Sequence, residues 1–145
     1  MGGEDDQLDV LDVLSPITGL HHVRVPVQDA WVSRDWYMTA LRFSPVLDLE
    51  EENGLVGVVL RHACGLVVGL HQDPERARAL RGFALMGLAV ANVEGLERWA
   101  NALDRLGIAH GPLTQGHIGP FIDVEDPDGI LIRIHSGATP FAEEA

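Results

Sequence analysis

Polar and apolar residues alternate along residues 19–27, where Val23, Val25 and Val27 interleave with His22, Arg24 and Pro26. A period of two marks a half-buried strand. Asp29 then stands at a helix start. Val32, Trp36, Ala40 and Leu41 recur at helical spacing with Arg34 and Asp35 outside them, predicting an amphipathic helix. Residues 43–49, 55–60 and 65–71 follow as three further strands. Asp73-Pro74 starts a short helix, predicted over 75–80, within a connector. The order then restarts. Residues 83–91 read as a strand, and Asn92 caps a helix striped by Val93, Leu96, Trp99, Ala100, Leu103 and Leu106, with Gly107 as its stop. Glu94 and Glu97 early in that helix and Arg105 near its end suit the helix dipole. Residues 108–113 and 118–124 are strand candidates, Asp126-Pro127-Asp128-Gly129 is a turn, and residues 129–135 close the series.

The two halves match each other. A shift of 64 lays residues 65–71 (GLVVGLH) on 129–135 (GILIRIH), and a shift of 63 lays Val27 on Val90, Asp29 on Asn92 and Trp36 on Trp99. Two ends of a unit matching at nearly one shift indicate tandem βαβββ modules rather than chance likeness between amphipathic strands. The organisation expected is an acidic arm at 1–16, a first module at 17–72, a connector at 73–82, a second module at 83–136 and a tail at 137–145. The fold class is α+β, with two cupped mixed sheets carrying helices on their outer faces.

Strand parity assigns the faces. Apolar residues turn toward a covering helix, so the alternate positions look the other way. These are His22 and Arg24 on the first strand, Val67, Gly69 and His71 on the fourth, Leu85, Gly87 and Ala89 on the fifth, and Leu131, Arg133 and His135 on the last. Sheets that curl toward one another would line one cavity with arginines, histidines and small residues. Such a cavity suits a carboxylate or phosphate, since arginine offers either a bidentate fork. The alternative is that Arg24 and Arg133 pair with acids such as Asp123 or Glu125, or reach solvent.

Charge narrows the partners. The chain of 145 residues has 10 Lys+Arg against 22 Asp+Glu, a formal net charge of −12. None of the basic residues is a lysine, and no clustered basic surface is available for nucleic acid. The arm carries Glu4, Asp5, Asp6, Asp9 and Asp12, the opposite of a secretory leader, and no apolar run spans a bilayer. A cytoplasmic protein without membrane or nucleic-acid partners is expected. Cys64 is the only cysteine, which excludes an internal disulfide and a cysteine-type zinc site. His62-Ala63-Cys64 reads as a turn rather than a Cys–His nucleophile, because no orienting group accompanies it. The glycine-rich segment 111–120 lacks phosphate-binding spacing and reads as a loop, with His117 at its rim. Trp36 and Trp99 are expected in the core. Trp31, Tyr37 and the arm's Leu8, Val10, Leu11, Val13 and Leu14 are candidates for a homodimer contact.

The phrases GLHHVRVPV, SRDWYMTALRF, VANVEGLERWANALDRLGI and FIDVEDPDGILIRIH resemble the vicinal oxygen chelate superfamily over about residues 17–136. That superfamily includes glyoxalase I, methylmalonyl-CoA epimerase, extradiol dioxygenases, and bleomycin- and fosfomycin-resistance proteins. The resemblance implies paired βαβββ modules, often completed by a homodimer, around a metal held by residues of the first and fourth strand of each module. Carried over by position, the ligands fall on His22, Gly69, Leu85 and Arg133. Three of those four cannot coordinate a divalent ion, so the usual metal and its oxygen chemistry are expected to be absent. His71 and His135 lie two residues beyond the lost positions and, with His22, form an alternative three-histidine metal site. Two functions follow. One is a metal-independent binding protein, similar to the bleomycin-resistance type, that holds an anionic or polar compound with His22, Arg24, Gly69, His71, Leu85, Arg133 and His135. The other is a lyase, isomerase or dioxygenase, with His22 or His71 as base and Arg133 steadying an oxyanion.

Overall fold

The computed structural model describes residues 12–137. The strands are β1 (Val23–Val27), β2 (Ser44–Glu51), β3 (Gly54–Arg61), β4 (Val67–Gln72), β5 (Ala84–Val90), β6 (Thr114–Gly116), β7 (Gly119–Glu125) and β8 (Leu131–Ser136). The helices are α1 (Ala30–Ala40), α2 (Pro74–Ala79) and α3 (Val93–Leu106). They form two four-stranded sheets, ordered β1-β4-β3-β2 and β5-β8-β7-β6. In each, the first and fourth strands run parallel and the remaining pairs antiparallel. This is the expected pair of βαβββ modules.

Local chemistry sets the helix ends. Asp29 accepts from the backbone N–H of Trp31 and Val32, Asn92 from that of Gly95, and Asp73 from that of Arg76 with Pro74 in the first turn. Each satisfies a donor that the helix leaves unpaired. Gly107 ends α3 at φ 69°, a left-handed conformation that costs a Cβ-bearing residue energy.

Of the expected stripe of helix α1, Ala40 and Leu41 are buried and Trp36 packs on the core, whereas Val32 is exposed and Ala30, Ser33 and Tyr37 are buried instead. Tyr37 is the reason: its ring is fully buried, edge-on to Trp36 and Phe43. It is therefore a core residue and not the dimer contact expected of it. Residues 108–113 do not form a strand, because His110 makes only an isolated bridge to Val124 before the short β6.

One core cluster lies under α1 and β1, β3 and β4 and extends to Ile130 and Ile132; a second lies under α3, β7 and β8. Trp36, Trp99 and Ile108 pack against both and form the seam between modules. The DPDG turn fastens that seam. Asp126 Oδ1 accepts from the backbone N–H of Asp128 (2.8 Å) and Ile130 (3.0 Å), while Tyr37 Oη donates to Asp126 Oδ2 at 3.1 Å. Both oxygens of Asp128 lie 3.3 Å from the Gln28 N–H, the donor that follows β1. The turn between β7 and β8 of the second module thus clasps helix α1 and the residue that follows β1 in the first. Arm residues up to 11 and tail residues from 138, including Leu8, Val10 and Leu11, lie outside the described residues, and Val13 and Leu14 are exposed.

Candidate functional site

Paired residues on neighbouring strands point to the same face, so the register writes out the floor of each sheet. In the first module one row crosses Arg24, Gly69, Val59 and Leu47, and the next crosses Pro26, His71, Gly57 and Leu49. These are the faces turned from α1. Two glycines at the centre remove side chains where larger neighbours surround them. A Cβ at Gly57 would come within 3.0 Å of the Leu70 carbonyl oxygen, so backbone approach requires glycine there. A Cβ at Gly69 would lie 3.6 Å from His22 Cδ2, an ordinary contact, so its absence simply opens space.

The result is an open bowl of about 350 Å³ lined by His22, Arg24, Leu49, Val59, Val67, Gly69 and His71, among others. It continues past Arg24 and His71 into a second hollow of about 450 Å³, reached by Pro26, Asp73, Arg76 and Leu80. Parity thus brought His22, Arg24, Gly69 and His71 together as expected. The apolar wall of Leu49 and Val59 was missed; its signal was the unpaired alternate face of β2 and β3, whose neighbours α1 does not cover.

His22 Nδ1 sits 2.9 Å from His21 Nδ1, and the Cδ2 edge of its ring faces Gly69. Among the described residues Arg24 makes no ion pair; its row offers glycine, valine and leucine, and no acid. Arg76, at the far hollow, is bound to Asp73 at 2.7 Å. The Arg76 guanidinium and backbone N–H together hold the Asp73 carboxyl below its usual range.

The second module diverges. Its equivalent rows cross Gly87, Arg133 and Asp123, then Ala89, His135, Phe121 and Thr114. Arg133 donates from Nε and Nη2 to the two Asp123 oxygens at 2.8 and 3.1 Å. Its guanidinium carbon lies 3.9 Å from the Phe121 ring centroid. This fork-to-carboxylate contact raises the Arg133 pKa and fixes the group in place. Within the chain Arg133 is therefore an ion-pair partner rather than a free oxyanion holder. His135 packs beside Phe121 and over Gly87, and its Nδ1 is buried without a hydrogen-bond partner. Leu85 does not line the bowl. A register irregularity between Ala84 and Met86 turns it onto the first core cluster.

The two helix-free faces do not share the bowl within one chain. The bowl is lined by residues of the first module alone, and the faces bearing Arg133 and His135 lie on the other sheet. The four positions carried over for a metal do not fit one. Gly69 has no side chain, Leu85 is turned to the core, and Arg133 brings a guanidinium already bound to a carboxylate. Nor do His22, His71 and His135 form the alternative site: among the described residues no three His, Cys, Asp or Glu side chains gather closely enough to hold an ion. His62 and Cys64 form the expected turn, with Cys64 exposed, and His117 is exposed in the turn between β6 and β7.

Two βαβββ modules clasped through a DPDG turn, with a hollow on the face away from the helices, define a class of small cup-shaped α+β proteins. A family model confirms it: residues 19–134 match the Glyoxalase/Bleomycin resistance protein/Dioxygenase superfamily, and the chain belongs to that family. Solved structures agree in fold. TnmS3, an antibiotic binding protein from Streptomyces sp. CB03234, is 20% identical with a TM-score of 0.69, covering 86% of this chain and 100% of that one. The fosfomycin resistance protein FosX from Listeria monocytogenes is 17% identical with a TM-score of 0.67, covering 85% and 96%. Lactoylglutathione lyase from Agrobacterium tumefaciens is 14% identical with a TM-score of 0.66, again covering 85% and 96%. A comparison with curated proteins found no match. No helix among the described residues is long and apolar enough to cross a membrane.

Proposed function

We propose that this chain binds a small anionic or polar organic molecule in the bowl of its first module, without the family's usual divalent metal. The carrying observation is Arg24, a cation with no carboxylate partner among the described residues, beside a glycine floor and an apolar wall. In a chain of net charge −12, a cation left unpaired at a hollow marks where negative charge is tolerated. The solved structure of an antibiotic binding protein on the same fold is consistent with a binding role. The working unit of this reading is a cytoplasmic homodimer, in which the Arg133 and His135 face of one protomer closes the bowl of its partner. Exposed Val46, Leu47 and Leu49 on the edge strand β2 and Ile118 near β6 are the apolar surfaces such a dimer would cover.

A titration panel of small carboxylates and phosphates tests the reading, with Arg24→Ala and Arg133→Ala beside the wild type. Arg24→Ala is expected to weaken the best ligand at least tenfold, and Arg133→Ala much less. Equal affinity in Arg24→Ala and wild type would overturn the assignment. Sedimentation of the untagged chain reads the dimer, and metal analysis of the same sample reads the ion. Stoichiometric zinc, nickel or iron would defeat the metal-free reading.

An enzyme remains the second reading because His21 and His22 pair through their Nδ1 atoms, which orients one imidazole at the bowl as a base requires. Turnover of a bound compound, lost in His22→Ala while binding persists, would select a lyase, isomerase or dioxygenase function. Arg133 would then have to leave Asp123 to hold an oxyanion.

A further inference from the structure

We infer that the ligand is an amphipathic monoanion, a carboxylate on an apolar body, lying along β1 and β4 with its body in the bowl and its head between Arg24 and His71. This inference rests on the reading of the bowl as a binding site and goes on to its chemistry. The two hollows meet at those residues, because Arg24 and His71 line both. On one side the walls are Leu49, Val59 and Val67 around Gly69, a surface that rewards apolar contact. On the other the groups are Asp73 and Arg76 beside Pro26 and Leu80. A ligand bridging the two must change character partway along its length.

The charge count selects the head. Arg76 is already bound to Asp73, so that pair contributes no free charge, and among the described residues Arg24 supplies the one uncompensated cation lining the two hollows. A monoanion balances it. A dianion would place a second negative charge near the Asp73 carboxylate, in a hollow that offers no second free guanidinium. Geometry sets the length. From Gly69 to His71, β4 advances two residues at about 3.3 Å each, so a ligand whose apolar body extends roughly 7 Å from its head reaches the glycine floor.

The test uses the full-length chain at pH 8 with 4-phenylbutyrate, its neutral amide and the dianionic 4-phenylbutyl phosphate, titrated by calorimetry. The carboxylate should bind with a dissociation constant of ~1 mM or below. The amide should bind at least tenfold more weakly, and the phosphate no better than the carboxylate. Arg24→Gln should abolish the preference for carboxylate over amide. Gly69→Leu, which fills the floor, should weaken both alike, and Gly69→Ala is the milder check if the larger side chain disturbs folding. An amide that binds within twofold of the carboxylate overturns the anionic head and leaves the bowl reading standing. A phosphate that binds more tightly overturns the monoanion. If none of the three probes binds, this inference fails, while the bowl reading stands or falls with the panel of small carboxylates and phosphates.

Discussion

Across the middle of the first sheet stand Arg24, Gly69, Val59 and Leu47; across the second stand Gly87, Arg133 and Asp123. The modules share strand order and register, yet each has one arginine in that row, on opposite members of the parallel pair. In the second module the arginine is on the central strand and meets an aspartate on the next one. Fork, carboxylate and the Phe121 ring close on themselves. In the first module the arginine is on the edge strand, its neighbour is glycine, and no carboxylate stands in the row. A displacement of one strand separates a self-satisfied ion pair from an available cation. Duplicated scaffolds can divide labour in this way, with one face built for stability and the other left unfinished for a ligand.

That comparison requires the modules to be held as one body, so the largest effect should come from breaking the joint. Asp126→Ala strips the partner from two backbone N–H groups and from the buried Tyr37 hydroxyl. Leaving such donors unsatisfied costs ~1–3 kcal/mol each, so a loss of about 3 kcal/mol is expected in chemical denaturation. Tyr37→Phe, which removes only the hydroxyl, should cost ~1 kcal/mol. If both variants unfold like wild type, the turn is not the clasp.

The same carboxyl gives a pH signature. Burial pushes the Asp126 pKa up from 3.8 to about 6, against the pull of the Ile130 and Asp128 N–H groups and the Tyr37 hydroxyl. The folded state therefore holds this proton more tightly than the unfolded chain. Its contribution to stability is full below about pH 4 and is lost as the pH rises through 6, by on the order of 3 kcal/mol at most. Asp126→Asn has no proton to lose and keeps an oxygen acceptor. The difference in unfolding free energy between Asp126→Asn and wild type should therefore grow in the variant's favour from pH 4 to 7. A difference independent of pH would show that the carboxyl titrates normally.

Much of this was legible in sequence. Alternation at Val23, Val25 and Val27 and the repeat at a shift of 63–64 fixed the modules, and parity placed His22, Arg24, Gly69 and His71 on one face. What was hidden depended on partners distant in sequence. The Arg133–Asp123 pair spans a hairpin whose register no alternation specifies, although Asp123 was among the acids considered. Leu85 departs from the expected face because it is the residue skipped at the register irregularity between Ala84 and Met86, whereas Gly87 and Ala89 beyond it keep their parity. Tyr37 contacts Asp126 across the module seam, 89 residues away, and local periodicity carries no trace of that. The convergence of both faces on one hollow was a statement about how modules sit together, which strand patterns leave open.

Transplanting the second module's solution into the first sharpens the comparison further. Gly69→Asp places a carboxylate opposite Arg24, in the same row relation that Asp123 has to Arg133. The available cation should become an ion pair and lose most of its attraction for a carboxylate ligand. A loss of at least tenfold is expected for 4-phenylbutyrate, against much less for its neutral amide. Gly69→Asn controls for bulk. Equal losses in the two variants would mean that space, not charge, matters at that position.

The smallest effect concerns a difference at the sheet edges. The first module has β2, eight residues long, where the second has a loop and the three-residue β6. That loop is held by His110, whose Nδ1 donates to the Gly111 carbonyl and whose Nε2 meets Asp104 Oδ1, both at 2.7 Å. The carbonyl and the carboxylate raise the His110 pKa above 6.5. The doubly protonated ring donates to both, so its stabilisation is full below pH 6.5 and disappears as the pH rises through the raised value. Asp104 is largely exposed, which screens the pair and limits its worth to roughly 0.5–1 kcal/mol. His110→Gln should therefore destabilise the chain slightly at pH 6 and by a smaller amount at pH 9, measured by denaturant midpoint at low salt. The opposite trend would mean that the loop is held by its neutral imidazole. In that case the short edge of the second module would owe nothing to charge.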